Sequence, residues 1–273
     1  MKENIKDYKV AYIGEEEPSG NYLEFYKMLG IQEEQLMHIE NPTRFQKVLV
    51  PEAGFRPCIW YTEEYQRMFN QMAESVIEDK ELKEKFKDLK KIYFSRRQFG
   101  KAVATEFGEE YIEQCFNQNG YESLGPETLS LREQIYVWNH AEAIACMNGT
   151  IPLNVVFCKN EKLKLTVLNK MSIYHKNPYI YLYMRKIEAD FINVYKEPLK
   201  GYPKSLGEGP YLIKTGKEFF DYCQKEGFEI PYTGMKLRFY DLKQEIRYYL
   251  CVIGIGKQIR RVGSFVKRKI LRR

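Results

Sequence analysis

KIYFSRRQFG (91–100), GYESLGPETLSLREQ (120–134), AEAIACMNGTIPLNVVF (141–157) and KLTVLN (164–169) decide the fold. Three apolar runs of strand type, at 92–95, 143–147 and 165–169, alternate with segments of helical period. That alternation predicts an α/β domain, a parallel sheet with helices on its faces. Two of the strands end in residues able to hold an anion. Ser95-Arg96-Arg97 follows the first, and Asn148-Gly149-Thr150 lies between the second and a helix expected to open at Ile151-Pro152. Gly149 permits a tight turn, Pro152 suits a first helical turn, and free N–H groups at a helix start favour phosphate. In open α/β sheets ligands sit outside the carboxyl ends of the strands, where Arg96 or Arg97 can clamp a diphosphate bidentately. The expectation is a nucleotide-diphosphate site; the bland alternative is a solvated sheet edge.

Composition sets the outer bounds. The 273 residues suffice for two modest domains, and 44% hydrophobic with 29% charged residues is ordinary for a soluble globular chain. The polar opening MKENIKDYK lacks the apolar run of a signal peptide, and no segment reaches membrane-spanning length, so a cytoplasmic location is expected. Six cysteines are scattered without a CxxC pair, as reduced buried thiols would be. With no Asp-x-Asp and no His/Cys/carboxylate run of ligand spacing, no metal or other cofactor is expected. The net charge of +6 hides an asymmetry: residues 236–273 carry +10 and residues 1–235 carry −4.

The chain divides into four parts on these patterns. Residues 1–75 read as an N-terminal α/β lobe, from KVAYIG through YLEFYKMLG to QLMHIE and KVLVPEAGF. Residues 62–91 read as one long helix whose charged second half joins two lobes, with a boundary at 75–76. Residues 76–170 form the second lobe. Residues 171–235 pack back across both lobes; Tyr181, Met184, Ile187, Phe191 and Val194 recur there near helical spacing. Residues 236–273 form a basic amphipathic tail. A reaction that removes a hydroxyl proton would need a general base, and His38, Glu40 and Glu52 are the candidates of the first part. In the centre, Ser130 and Glu133 have capping-box spacing.

The ordered pieces Arg96, Arg97, Glu106, Gly120-Tyr121, Pro126-Glu127, Leu129-Ser130, Glu133-Gln134, Gly149 and Asn154 resemble the signature region of glycosyltransferase family 61, of the bacterial cell-surface polysaccharide type. The likeness is strong over about eighty residues. Asn148 stands where the family has His, and Thr150 where it has Ala; Asn keeps a hydrogen-bond donor but cannot become a cation. The resemblance implies a GT-B-like architecture of two Rossmann-like lobes, the N-terminal one abbreviated and on the acceptor side, the second binding the nucleotide-sugar donor, followed by C-terminal helices. It also implies inverting transfer from a nucleotide sugar, with UDP the expected nucleotide, to a saccharide or lipid-linked acceptor. Arg96, Arg97, Glu133, Gln134, Asn148, Gly149, Thr150 and Asn154 would hold the donor.

In the tail, Leu242, Ile246, Tyr249, Leu250, Ile253, Ile259, Val262, Phe265, Val266 and Ile270 can share one face while Lys and Arg crowd the other. Basic amphipathic helices lie on anionic membrane surfaces, so the tail predicts a peripheral position on the inner face of the cell membrane. Nucleic acid is the rival partner for so many cations, but no recognition fold accompanies them, and no nucleic acid is expected. A scaffold that recruits an active transferase is the alternative to catalysis.

Overall fold

The computed structural model describes residues 8–14, 17–173, 176–197 and 209–253. Strands β1 (Val10–Tyr12) and β2 (Leu36–His38) pair in parallel around helix α1 (Gly20–Met28), and β3 (Phe55–Arg56) pairs antiparallel with β4 (Trp60–Tyr61). Helices α2 (Glu63–Ile77) and α3 (Lys80–Lys85) lead into β5 (Lys91–Phe94). Next come α4 (Gly100–Thr105), β6 (Glu106–Phe107), α5 (Glu109–Gln118), β7 (Glu122–Leu124), α6 (Leu131–His140), β8 (Ala143–Met147) and β9 (Lys164–Asn169). Then follow α7 (Asn177–Arg185), β10 (Ala189–Asn193), β11 (Tyr211–Leu212), α8 (Lys217–Lys225) and α9 (Gly234–Val252).

Five strands make one parallel sheet in the spatial order β10-β9-β8-β5-β7. Read from β7, the order is second, first, third, fourth, fifth, a doubly wound arrangement whose direction reverses between β5 and β8. At that reversal the connections leave to opposite sides and open a crevice at the carboxyl ends. The β5–β8 ladder runs from Lys91↔Ala143 to Phe94↔Cys146, so the segments beginning at Ser95 and Asn148 emerge side by side.

The three central strands β5, β8 and β9 are buried on both faces, every residue of β8 included, which is why they read as continuous apolar runs. On one face Ile92, Phe94, Ile144, Cys146 and Val167 pack against Phe69, Met72 and Val76 of α2, Ile135 and Trp138 of α6, and Leu182 of α7. On the other, Tyr93, Ala145, Met147 and Leu168 meet Ile112, Cys115 and Phe116 of α5 and Phe219 and Tyr222 of α8.

Three expectations are corrected. The helix read over 62–91 is two helices. Asp79 interrupts it, accepting from the Glu81 and Leu82 N–H groups to cap α3 and pairing with Arg132 at 2.8 Å. Its first half, α2, packs its apolar stripe on the sheet, so a boundary at 75–76 falls inside that helix. The apolar spacing over 181–194 likewise spans two elements: α7 ends at Lys186 with φ +56°, and Phe191 belongs to β10. Finally, the N-terminal α/β pattern builds the two-stranded β1–β2 ladder, and among the described residues no second large sheet accompanies the five-stranded one. This small unit is fastened to α6, where the Glu24 carboxylate accepts from the Leu131 and Arg132 N–H groups.

Candidate functional site

Beyond β5 the Ser95 N–H still bonds Leu124 O, and the chain then turns so that Phe99 N reaches Arg96 O. The turn sends the Arg96 guanidinium across the crevice. Its Nε donates to both oxygens of Glu106, at 3.1 and 3.2 Å, and its plane lies over the Phe99 ring. No described residue takes a hydrogen bond from its two Nη groups. Lys170, the residue after β9, brings its Nζ to 2.8 Å from the same Glu106 carboxylate and 4.2 Å from the centre of the Tyr211 ring. Both the Lys170 and Glu106 side chains are only 3% exposed, and burial lowers the proton affinity of Lys170 against the pull of Glu106.

Glu109 opens α5 directly behind Arg96. Its Oε1 accepts from the Arg96 N–H and the Tyr93 hydroxyl, both at 3.1 Å. Burial pushes its carboxyl up to about 7; the neighbouring Glu106 and Glu113 charges add to the rise against those two hydrogen bonds. Gly108 makes the approach possible: its φ is +111°, and a Cβ there would stand 2.0 Å from Ile213 O. Arg97 is already engaged, with Nη1 2.8 Å from Glu113 and Nη2 3.6 Å from Glu110. Arg96, Arg97, Glu106 and Glu109 line one pocket, whose far wall is Tyr240, Gln244 and Arg247 of α9.

Residues 35–168 match the family model Glycosyltransferase 61. The match supports placing the chain in that family and supports a transferase activity; it runs from the start of β2 almost to the end of β9 and includes both walls of the crevice. No curated protein matches the chain.

Within this glycosyltransferase 61 region the expected donor residues separate into two groups. The β5–β8 ladder brings the segment of Asn148, Gly149 and Thr150 out next to that of Ser95 and Arg96, but none of the three lines the pocket of Arg96. Asn148 is not arranged as expected, however. Its Nδ2 donates to Asn169 Oδ1 at 2.7 Å, Asn169 Nδ2 donates to Asn193 Oδ1 at 3.1 Å, and Asn193 Nδ2 donates to Glu218 Oε1 at 3.0 Å. An ionised carboxylate only accepts, so Glu218 sets the direction of all three amides. The wire ends on Asn148 Oδ1, buried and without a hydrogen-bond partner among the described residues. A phosphate oxygen cannot satisfy that atom; a hydroxyl or N–H can. Gly149 lies outside the left-handed region and a Cβ there would meet nothing within 4 Å, so it leaves an open approach and does not serve a strained turn. The helix expected at Ile151 is a seven-residue 3-10 segment, Ile151–Phe157, without a side-chain cap from Thr150, so the dipole argument for phosphate weakens there.

The second group is committed to the fold. Glu133 forms the capping box with Ser130 and pairs with Lys85. Gln134 donates to Pro126 O and Leu129 O, and its Oε1 accepts from Asn154 Nδ2 at 2.7 Å. Of the base candidates, His38 stacks on Tyr12 and its Nε2 lies 2.8 Å from Gly14 O, with Nδ1 3.7 Å from Glu40. A carbonyl oxygen only accepts, so the Nε2 side of the ring is turned to a backbone acceptor. Glu52 is exposed in the loop before β3. Neither lines the pocket of Arg96. Among the described residues no group of three or more His, Cys, Asp or Glu side chains is placed to hold a metal ion.

Lys170, Glu109 and the α9 residues were absent from the sequence-based site. Lys170 follows a strand as Arg96 does, so the same carboxyl-end rule could have found it. Glu109 carries no such signal, since its proton affinity comes from burial.

Proposed function

We propose that the chain transfers a glycosyl group from a nucleoside-diphosphate sugar, with UDP the expected nucleotide, to a saccharide or lipid-linked acceptor in cell-surface polysaccharide assembly. The observation that carries this reading is the Arg96 guanidinium, held by Glu106 at the switch point with its two Nη groups unclaimed by described residues. In this reading those groups clamp the diphosphate bidentately and neutralise the leaving group without a metal. The lone Oδ1 of Asn148 takes a ligand hydroxyl or N–H, and Gly149 and Thr150 leave room for it. Transfer is inverting, and His38 or Glu52 accepts the acceptor proton. The enzyme works in the cytoplasm at the membrane surface.

Calorimetry with a panel of nucleoside diphosphates and nucleotide sugars tests it. Arg96→Ala should weaken binding by about ten- to hundredfold, the loss of one or two charge-assisted hydrogen bonds. Arg97→Ala should cost little, because Glu110 and Glu113 already hold that side chain. No binding across the panel, or equal losses in both variants, refutes the assignment. A scaffold without catalysis is favoured by one observation, that neither His38 nor Glu52 lines the pocket; nucleotide binding with no transfer would select it.

A further inference from the structure

The sequence pattern predicts an apolar face opposite a basic one in the C-terminal stretch, whereas α9 packs one side into the fold and turns its apolar strip outward. Its inner side is part of the fold: Gln244 and Tyr248 are buried, and the Tyr240 hydroxyl accepts from the Tyr111 N–H. Asp241 and Glu245 both pair with Lys214, and Glu245 also with Lys196. The opposite side carries Met235, Phe239, Leu242, Ile246, Leu250 and Ile253, each between 43% and 66% exposed. At about 100° per residue these six fall within an arc of roughly 80°, centred opposite the buried Gln244. Tyr249, grouped with them on sequence, packs instead against the small cluster of Phe107, Leu212 and Tyr248.

Exposed Lys236, Lys243 and Arg247 border this arc on one side and Arg238 on the other. An apolar strip flanked by cations is the pattern of a helix lying in the plane of a membrane interface. Charge agrees beyond the helix as well: residues 254–273, outside the described part, add eight Lys and Arg and no acid. No helix among the described residues is long and apolar enough to cross a membrane.

We infer that the outer face of α9, from Met235 to Ile253, docks on an anionic lipid bilayer and lays the helix flat in the headgroup region, its apolar side chains inserted and its Lys and Arg on lipid phosphates. The pocket of Arg96 and Glu109 is on the other side of the same helix, through Tyr240, Gln244 and Arg247. A helix is about 10 Å thick, so docking holds the pocket roughly one helix above the headgroups, level with a saccharide on a lipid carrier. That last step rests on the transferase reading; the docking does not.

Flotation of the full chain with phosphatidylcholine vesicles, with and without roughly 30% phosphatidylglycerol, tests the inference. The wild-type chain should float with the anionic vesicles only. The double variant Phe239→Glu/Ile246→Glu should partition at least about tenfold less, since each side chain no longer inserts and each new charge is repelled. Its thermal unfolding should be unchanged, because both side chains face outward. The cations of 236–273 remain in the variant, so undiminished flotation would show that charge alone binds and would overturn the inference. Absence of wild-type flotation overturns it too, as does a dimer that the double variant dissociates, which would make a second copy the occupant. Nucleotide affinity measured on the same samples reports on the transferase reading separately.

Discussion

Replacing Glu106 by Gln should be one of the most damaging small changes to this chain. The carboxylate is 3% exposed and stands between Arg96 Nε at 3.1 Å and Lys170 Nζ at 2.8 Å. Gln keeps the shape and removes the charge. Arg96 is partly exposed and regains water, whereas Lys170 is left buried beside Tyr211 without its paired carboxylate, the more distant Glu109 being its remaining acidic neighbour. Breaking a buried pair by removing one partner costs about 3–5 kcal/mol. A ceiling follows from the alternative of neutralising the lysine: about 1.4 kcal/mol per pH unit from its unfolded value near 10.4 is about 4.6 kcal/mol at pH 7. The expected loss is therefore about 3–4 kcal/mol, a midpoint drop of roughly 10 °C for a chain of this size. Urea and thermal unfolding followed by circular dichroism measure it.

Linkage adds a signature. In the variant the folded-state proton affinity of Lys170 lies below its unfolded value, so between the two the unfolded chain binds more protons and stability rises with pH. The deficit should be largest near neutrality and shrink towards pH 10. Lys170→Met in the Glu106→Gln background should restore about 2 kcal/mol or more, since it removes the stranded charge. A loss below about 1 kcal/mol, or one independent of pH, would refute the reasoning that this buried triad is held by charge.

Two further outcomes follow from the same pocket. Glu109 titrates at about 7, and an anion bound beside Arg96 raises it further, so binding takes up a proton. Nucleotide-sugar affinity should fall from pH 6 to pH 8, by at most about tenfold per unit, and Glu109→Gln should flatten the calorimetric profile; a flat wild-type profile would exclude that contact. Gly108→Ala should destabilise by at least about 2 kcal/mol in urea, because φ is +111° and the new Cβ meets Ile213 O at 2.0 Å; a neutral result would mean that the Gly108–Ile213 contact yields freely.

How much of this was legible beforehand depends on the range of the physics. The strands Ile92–Phe94, Ala143–Met147 and Leu165–Asn169 announced themselves because burial on both faces leaves a continuous apolar run. β7 did not, since Glu122 and Ser123 of this short edge strand are exposed. The long-helix reading of 62–91 missed the cap at Asp79, where a side chain competes with the helix for its own backbone. At the site, the carboxyl-end rule put Arg96 and Asn148 just beyond the ends of two strands that pair in the sheet, because strand ends are a local pattern.

The sequence by itself determined the alternating elements, the parallel sheet, the two residue groups at its carboxyl edge and the basic character of the C-terminal stretch, all properties of neighbouring residues. Tertiary structure alone decided which polar groups were already spent. It paired Arg97 with Glu113 and left the Arg96 Nη groups unclaimed by described residues, and it set the orientation of the buried Asn148 amide through a wire that ends at Glu218. It also raised Glu109 by burial and gave α9 one face to the pocket and the other to the outside. Hydrogen bonds and burial are set by residues 13 to 129 positions apart, and no local pattern carries that information.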